Sequence, residues 1–323
     1  MSVIKTTIIT GYLGVGKTTL INNLLKQSDG LRIAVIVNEF GDLGIDGDLI
    51  LNTNEEIIEL TNGCLCCSVR GDLISALISL KPRLATLDAL FIETSGLADP
   101  VPVAQTFLIG EDELQDFKLD GVITLIDARH GIPILKSEVE AKSQVAFADR
   151  LILTKSDLVD NKTLVKIKEE IRMLNLSAPI LSSVFGEVPL DDIMDIGAFD
   201  IEKIKLNSNT ELDRHTHNED IQCITFTSNR SIDPDTFMQW MQQLIVIYGD
   251  RILRSKGVLD FLGETRRFVF HGVQTVLDGD VQEAWPKGPR QSRLILIGRE
   301  LNVDVLRTGW ENCYAEFVSK KLL

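Results

Sequence analysis

Along residues 1–200 the chain alternates between short continuous apolar runs and stretches with apolar positions at helical spacing. Runs of Val, Ile and Leu without polar alternation mark strands covered on both faces, and their alternation with helices predicts βα units and a mainly parallel sheet. The strands expected are Val3–Thr10, Arg32–Val37, Ala89–Glu93, Gly121–Asp127, Arg150–Thr154 and Pro179–Val184. Lys17–Gln27 and Leu158–Leu174 read as helices. In the second, Leu158, Leu164, Ile167, Ile171 and Leu174 recur at the spacing of a core-facing stripe. The pattern breaks over residues 201–220, IEKIKLNSNTELDRHTHNED, which is polar, charged and rich in Asn, as in an exposed linker. Beyond it, Ile221–Thr227, Ile252–Phe261, Arg267–Val276 and Ser292–Ile297 read as strands. Pro234–Tyr248 and Asn302–Leu322 read as helices, the last with Asp304 early and Lys320 and Lys321 late, as the helix dipole favours. The expected architecture is therefore an α/β domain with a mainly parallel sheet over residues 1–200, a linker over 201–220, and a small α+β domain with an antiparallel sheet over 221–323.

The loop joining the first strand to the first helix carries candidate chemistry. Gly11-Tyr12-Leu13-Gly14-Val15-Gly16-Lys17-Thr18 satisfies G-x-x-x-x-G-K-[ST], and Thr19 follows. Glycines let such a loop wrap phosphates with its backbone N–H groups, and the helix N-terminus adds partial positive charge. Lys17 is expected to neutralise the β- and γ-phosphates, and Thr18 to place its hydroxyl on Mg²⁺. A match at these fixed positions arises by accident in about one chain in a hundred of this length.

Two later segments refine the nucleotide. Leu90-Phe91-Ile92-Glu93-Thr94-Ser95-Gly96 is an apolar strand ending in an acid that can support Mg²⁺, with Gly96 placed to sense a γ-phosphate. Thr154-Lys155-Ser156-Asp157 resembles the N/T-K-x-D guanine signature: the carboxylate of Asp157 can accept from the ring N–H and exocyclic amine of guanine, a pair adenine does not offer. GTP is expected over ATP. Leu97 stands where fast hydrolysers often carry a water-orienting amide, and Asp99 is the nearest alternative, so slow intrinsic hydrolysis is expected.

Five cysteines are present, and three crowd into Cys64-Leu65-Cys66-Cys67. Thiolates at this spacing suit a borderline or soft cation such as Zn²⁺, but so short a span cannot supply all four ligands, which leaves a position open or filled by another group. An open shell suits delivery. A disulfide between neighbouring Cys66 and Cys67 would be strained. Between the phosphate loop and the cysteines, Glu39, Asp42 and Asp46 lie in a Gly- and Asp-rich stretch and are candidates to complete the Mg²⁺ or transition-metal shell. The net charge of −14 counts against nucleic acid and against an anionic membrane surface as partners. No apolar run long enough to span a bilayer and no secretory signal is evident, so a cytoplasmic location is expected.

GYLGVGKTT, NEFGDLGIDG, NGCLCC, ETSGLADP and TKSD, in this order and spacing, closely resemble the CobW-type GTPases. LRSKG (Leu253–Gly257), VFHGVQ (Val269–Gln274) and SRLILIG (Ser292–Gly298) look like that family's C-terminal domain, so the likeness covers the whole chain. The resemblance is nearest to the short bacterial zinc-handling type. It implies low GTPase activity and insertion of a transition metal, zinc or another such as Co²⁺, into a client metalloprotein. A homodimer stays open. By position it implies Gly11–Thr19 for the nucleotide loop, Glu93 for the Mg²⁺ side, Lys155 and Asp157 for the base, and Cys64, Cys66 and Cys67 for the metal. Asp42 departs from the Glu usual after NEFG, and Val37 from the Glu of some relatives. The His-rich tract of zinc-linked members shrinks here to His215 and His217. Two other readings fit the residues: a GTPase with a structural zinc that works by protein or RNA interaction, and an ATP-using kinase.

Overall fold

A computed structural model describes residues 3–28, 30–38, 57–60, 68–109, 112–198 and 221–315. The chain forms two compact units, Met1–Leu206 and Asn207–Leu323.

The first unit is built on a seven-stranded sheet: β1 (Ile4–Gly11), β2 (Ile33–Asn38), β3 (Ile57–Leu60), β4 (Ala89–Glu93), β5 (Phe117–Asp127), β6 (Arg150–Thr154) and β7 (Ile180–Ser182). Their order is β3-β2-β4-β1-β5-β6-β7, and every neighbouring pair runs parallel. Continuous burial along β1, β4 and β5 explains why these strands read as unbroken apolar runs. The core on one face joins Ile9, Val35, Phe91, Ile123 and Ile152 of the sheet to Leu20, Ile21 and Leu24 of helix α1 (Lys17–Lys26). Chain order reverses around β1, since β2 and β4 lie to one side and β5 to the other. In a parallel sheet that arrangement opens a crevice outside the carboxyl ends of the strands, where ligands bind.

Six of these strands match the sequence reading, with β5 beginning earlier at Phe117 and β7 shorter at both ends. The seventh, β3, is four residues long and, among the described residues, pairs with β2 alone, too brief for its pattern to stand out. Helices α2 (Ser68–Leu80), α3 (Val101–Leu108), α4 (Gly131–Ser137) and α5 (Val139–Phe147) complete the crossovers with α6 (Asn161–Leu174). The expected start of α6 at Leu158 is corrected. Asp160 is the N-cap, accepting from Thr163 N at 2.8 Å, and Ser156–Leu158 form a separate short turn. Leu158 is consequently exposed, and the buried stripe consists of Ile167, Ile171 and Leu174.

The second unit is a five-stranded antiparallel sheet of order β11-β10-β9-β12-β8, from β8 (Gln222–Ser228), β9 (Ile252–Leu259), β10 (Arg266–Val273), β11 (Val276–Ala284) and β12 (Ser292–Gly298). Helices α7 (Pro234–Tyr248) and α8 (Val303–Asn312) pack on it. Their core gathers Phe226, Phe237, Trp240, Phe270 and Trp310, with Phe237 and Phe270 edge-on at 5.3 Å between ring centres. Asp233 caps α7 through Thr236 N, and Pro234 occupies its first turn. The sequence pattern missed β11 because only partly buried and exposed residues alternate there. It also carried the last helix too far. Cys313 caps α8, and Tyr314 leaves it to bridge Ile232. Arg254 is 2% exposed despite its charge, and Trp285 is half-buried. Cys223 and Cys313 are buried; burial, and then the charge of Asp233, pushes the Cys313 thiol up to about 12.

Candidate functional site

The loop after β1 meets the crevice at the sheet's switch point. Gly11, Gly14 and Gly16 all have positive φ, at 141°, 70° and 99°, a backbone that side-chain-bearing residues rarely adopt. Gly11 is required a second time: a Cβ there would lie 2.6 Å from the Leu125 carbonyl oxygen. Val15 is buried and anchors the loop, while Thr19 is exposed. Lys17 Nζ, on a largely buried side chain, donates to the Gly11 carbonyl at 3.0 Å. It therefore lies folded back over the loop it would share with a phosphate.

Thr18 Oγ1 donates to Glu93 Oε1 at 3.1 Å, joining the start of α1 to the end of β4. Glu93 is buried, yet its carboxylate and the Thr18 hydroxyl are hard oxygen donors within reach of one another, a donor set that fits Mg²⁺. Beside them Thr94 Oγ1 donates to Thr10 Oγ1 at 2.7 Å. Gly96 follows so closely on the phosphate loop that a Cβ would sit 2.7 Å from Leu13 N. Only glycine allows that approach, which puts the two loops in backbone contact. Asp99 Oδ1 accepts from Val101 N at 3.0 Å and so starts α3.

The corner formed by β5 and β6 is tied to the same loop. Thr154 Oγ1 donates to the Val15 carbonyl at 2.7 Å. Lys155 has φ 54° and extends Nζ to the Gly14 carbonyl at 2.9 Å and to Asp127 Oδ2 at 2.7 Å. Its side chain thus lies along the phosphate loop. Asp157 is exposed in the short turn beyond it, its carboxylate open to a ligand. Asp127 also caps the turn after β5, accepting from Arg129 N at 2.8 Å. Burial opposes ionisation of Asp127 and is the largest influence on it. The Lys155 ammonium, the Arg129 N–H and the His130 ring together outweigh that and hold the carboxyl below the usual carboxylate range.

Three positions were not picked out from the sequence. Asp127 repeats the form of Glu93, an acid ending an apolar strand, and that parallel could have revealed it. Gln144 is buried in α5 and donates from Nε2 to the Gly96 carbonyl at 3.1 Å and the Ala98 carbonyl at 3.0 Å. It supplies an amide to the loop where Leu97 offers none. Asn23 Nδ2 donates to the Phe185 carbonyl at 2.7 Å, tying α1 to the loop after β7. No local pattern announces either contact, since their partners are 48 and 162 residues away.

Cys64, Cys66 and Cys67 lie outside the described residues, as do Glu39, Asp42, Asp46, His215 and His217. Among the described residues no group of three His, Cys, Asp or Glu side chains could hold a metal ion. No helix there is long and apolar enough to cross a membrane.

A glycine loop of left-handed residues feeding a helix, with a buried lysine over it and a carboxylate paired to its threonine, defines a P-loop nucleotide-binding protein. Residues 5–182 match the CobW/HypB/UreG nucleotide-binding domain, and residues 221–314 the cobalamin synthesis protein CobW C-terminal domain. The chain belongs to the CobW family of P-loop GTPases. It is 34% identical to the zinc chaperone YjiA of Escherichia coli over 96% of this chain and 98% of that one. It is 33% identical to the zinc chaperone CobW of a Sinorhizobium species over 91% and 92% of the two chains. The crystal structure of Zn(II)-bound YjiA GTPase superposes with a TM-score of 0.77 at 29% identity, covering 98% of this chain and 100% of that one.

Proposed function

We propose that this chain is a GTP-dependent metallochaperone. It takes a transition metal, zinc above others, as cargo on Cys64, Cys66 and Cys67, and uses GTP binding and slow hydrolysis to control transfer to a client protein. Lys17 and the loop amides hold the triphosphate, Thr18 and Glu93 hold Mg²⁺, and Asp157 reads guanine. Bound Mg²⁺ supplies charge neutralisation between the β- and γ-phosphates. Glu39 and Asp42 are offered as further oxygen ligands to one of the two metals.

The observation that carries this reading is a strand register. Val37 of β2 pairs with Glu93 of β4 on one side and with Glu59 of β3 on the other. The backbone at Glu59 is thus two strand spacings, about 10 Å, from the Mg²⁺-side acid. All three strands run parallel, and β1 is parallel to β4, so β3 ends at Leu60, four residues before Cys64, on the edge of the sheet where the phosphate loop begins. The zinc chaperones among its relatives supply the choice of metal.

The test is a zinc titration of the whole protein with and without Mg²⁺ and a non-hydrolysable GTP analogue. Regulation requires a nucleotide-dependent change in zinc affinity of about 5- to 150-fold. Equal affinity in the two states would remove the coupling, and with it this function.

A further inference from the structure

We propose that the ring of Phe185 is the surface on which the guanine base stacks. The proposal rests on the reading of Asp157 as the guanine-selecting residue, and adds the group that holds the base from its face rather than its edge.

The loop after β7 is bonded both to the turn that carries Asp157 and to the helix that follows the phosphate loop. β6 and β7 pair with Leu153 opposite Ser182, so the loops following the two strands emerge side by side. Ser156, between Lys155 and Asp157, donates to the Ser183 carbonyl from its hydroxyl at 3.0 Å and from its backbone N at 3.3 Å. On the phosphate side, Asn23 of α1 holds the Phe185 carbonyl at 2.7 Å. Gly186, with φ 74°, turns the chain so close to α1 that a Cβ would lie 3.1 Å from Leu20 N. Phe185 is thus tethered between the base-reading turn and the helix that opens at the phosphates.

Its conformation is costly, and burial of the side chain does not repay the cost. Five non-glycine residues among those described have positive φ, and Phe185, at 51°, is the one apolar residue among them. Left-handed backbone is a genuine outlier for a bulky side chain, and such strain persists where function requires it. The ring is also 76% exposed, so it gains little from burial in the protein. A strained, water-facing aromatic beside a site that selects a purine is explained by a flat partner that covers it. Stacking tolerates every base, so Phe185 would supply affinity while Asp157 supplies choice.

The experiment is titration of GDP and GTP, each with Mg²⁺, into the full chain and its variants. Phe185→Ala and Phe185→Gly are expected to bind both nucleotides about 5- to 150-fold more weakly. Phe185→Trp should keep affinity near that of the unaltered protein. Glycine adopts this φ freely, so the nucleotide-free Phe185→Gly protein should melt no lower than the parent, which separates loss of binding from loss of fold. Wild-type affinity in both the Ala and Gly variants overturns the proposal. Asp157→Asn, whose amide can donate to the 2-oxo group of xanthine, is titrated in parallel with GDP and xanthosine diphosphate. If that variant moves preference toward xanthosine while Phe185→Ala changes nothing, stacking fails alone and the base reader stands. If Asp157→Asn leaves the preference unmoved, the base reader fails and stacking falls with it.

Discussion

Lys155 and Asp127 form an ion pair across the carboxyl ends of β6 and β5, with Nζ 2.7 Å from Oδ2. The same ammonium reaches the Gly14 carbonyl, so one side chain braces the base-side corner against the phosphate loop. Lys155→Met should remove both bonds and leave a buried carboxylate behind. The expected cost is about 1–2 kcal/mol, discounted because the lysine is partly open to water. Urea unfolding reads it, and GDP affinity should fall alongside.

Asp127 gives that corner a pH dependence. Its carboxyl titrates below the ordinary range in the folded chain. The unfolded chain therefore takes up the proton first as pH falls. The stabilisation is complete above the unfolded value, about 3.9, and is lost as pH falls through the folded one. Asp127→Asn should be less stable than the parent at neutral pH, and the gap should close on the acid side of about pH 4. A gap that stays constant with pH would show that the charge of Asp127 is not what stabilises the fold.

Gln144→Ala leaves the Gly96 and Ala98 carbonyls without their buried donor. The phosphate loop itself is untouched, so GDP should bind as before. GTP hydrolysis depends on where the Gly96 loop sits, and a loss of about 1.4 kcal/mol in positioning would slow it about tenfold. Single-turnover hydrolysis beside a GDP titration separates the two effects.

Glu93→Gln keeps the shape of the side chain and removes its charge. If Glu93 supports Mg²⁺ through the Thr18 hydroxyl or a water, the Mg²⁺ concentration for half-maximal hydrolysis should rise about 10- to 100-fold. Nucleotide affinity measured without Mg²⁺ should change little.

In the second unit, Gly309 of α8 lies against the Trp240 indole, and a Cβ there would meet Nε1 at 2.0 Å. Trp240 is buried, so neither helix can yield without disturbing the aromatic core. Gly309→Ala, which normally favours a helix, should here destabilise the unit by about 1–3 kcal/mol. Urea unfolding of the full chain, followed by tryptophan fluorescence, measures it, since Trp240 and Trp310 share this core.

Much of this was legible because the relevant physics is local. A phosphate loop needs glycines at fixed spacing, and a strand buried on both faces must be apolar throughout, so β1, β4 and β6 declare themselves. Pro234 after Asp233 marks the start of α7 in the same way. What stayed hidden depends on distant partners. β3 is strand only because β2 lies beside it, and β11 because β10 does. Arg254 is charged yet interior, which no periodicity reveals. Gln144 looks like one more polar position on a helix until the fold brings the loop after β4 against it. Leu158 obeyed the helical period, but Asp160 claimed the first amides and started the helix later.

The position of β3 has a consequence for how work is divided within the sheet. As a rim strand it is bonded, among the described residues, to β2 alone, whereas β1 is the central strand of the seven, with three strands on either side. Peeling β3 away would break a few ladder bonds and leave the central strands joined. Any tug exerted beyond Leu60 is therefore borne by a four-residue seam at the margin, two strands away from β1, and the cradle at Gly11–Thr18 keeps its shape while the margin gives.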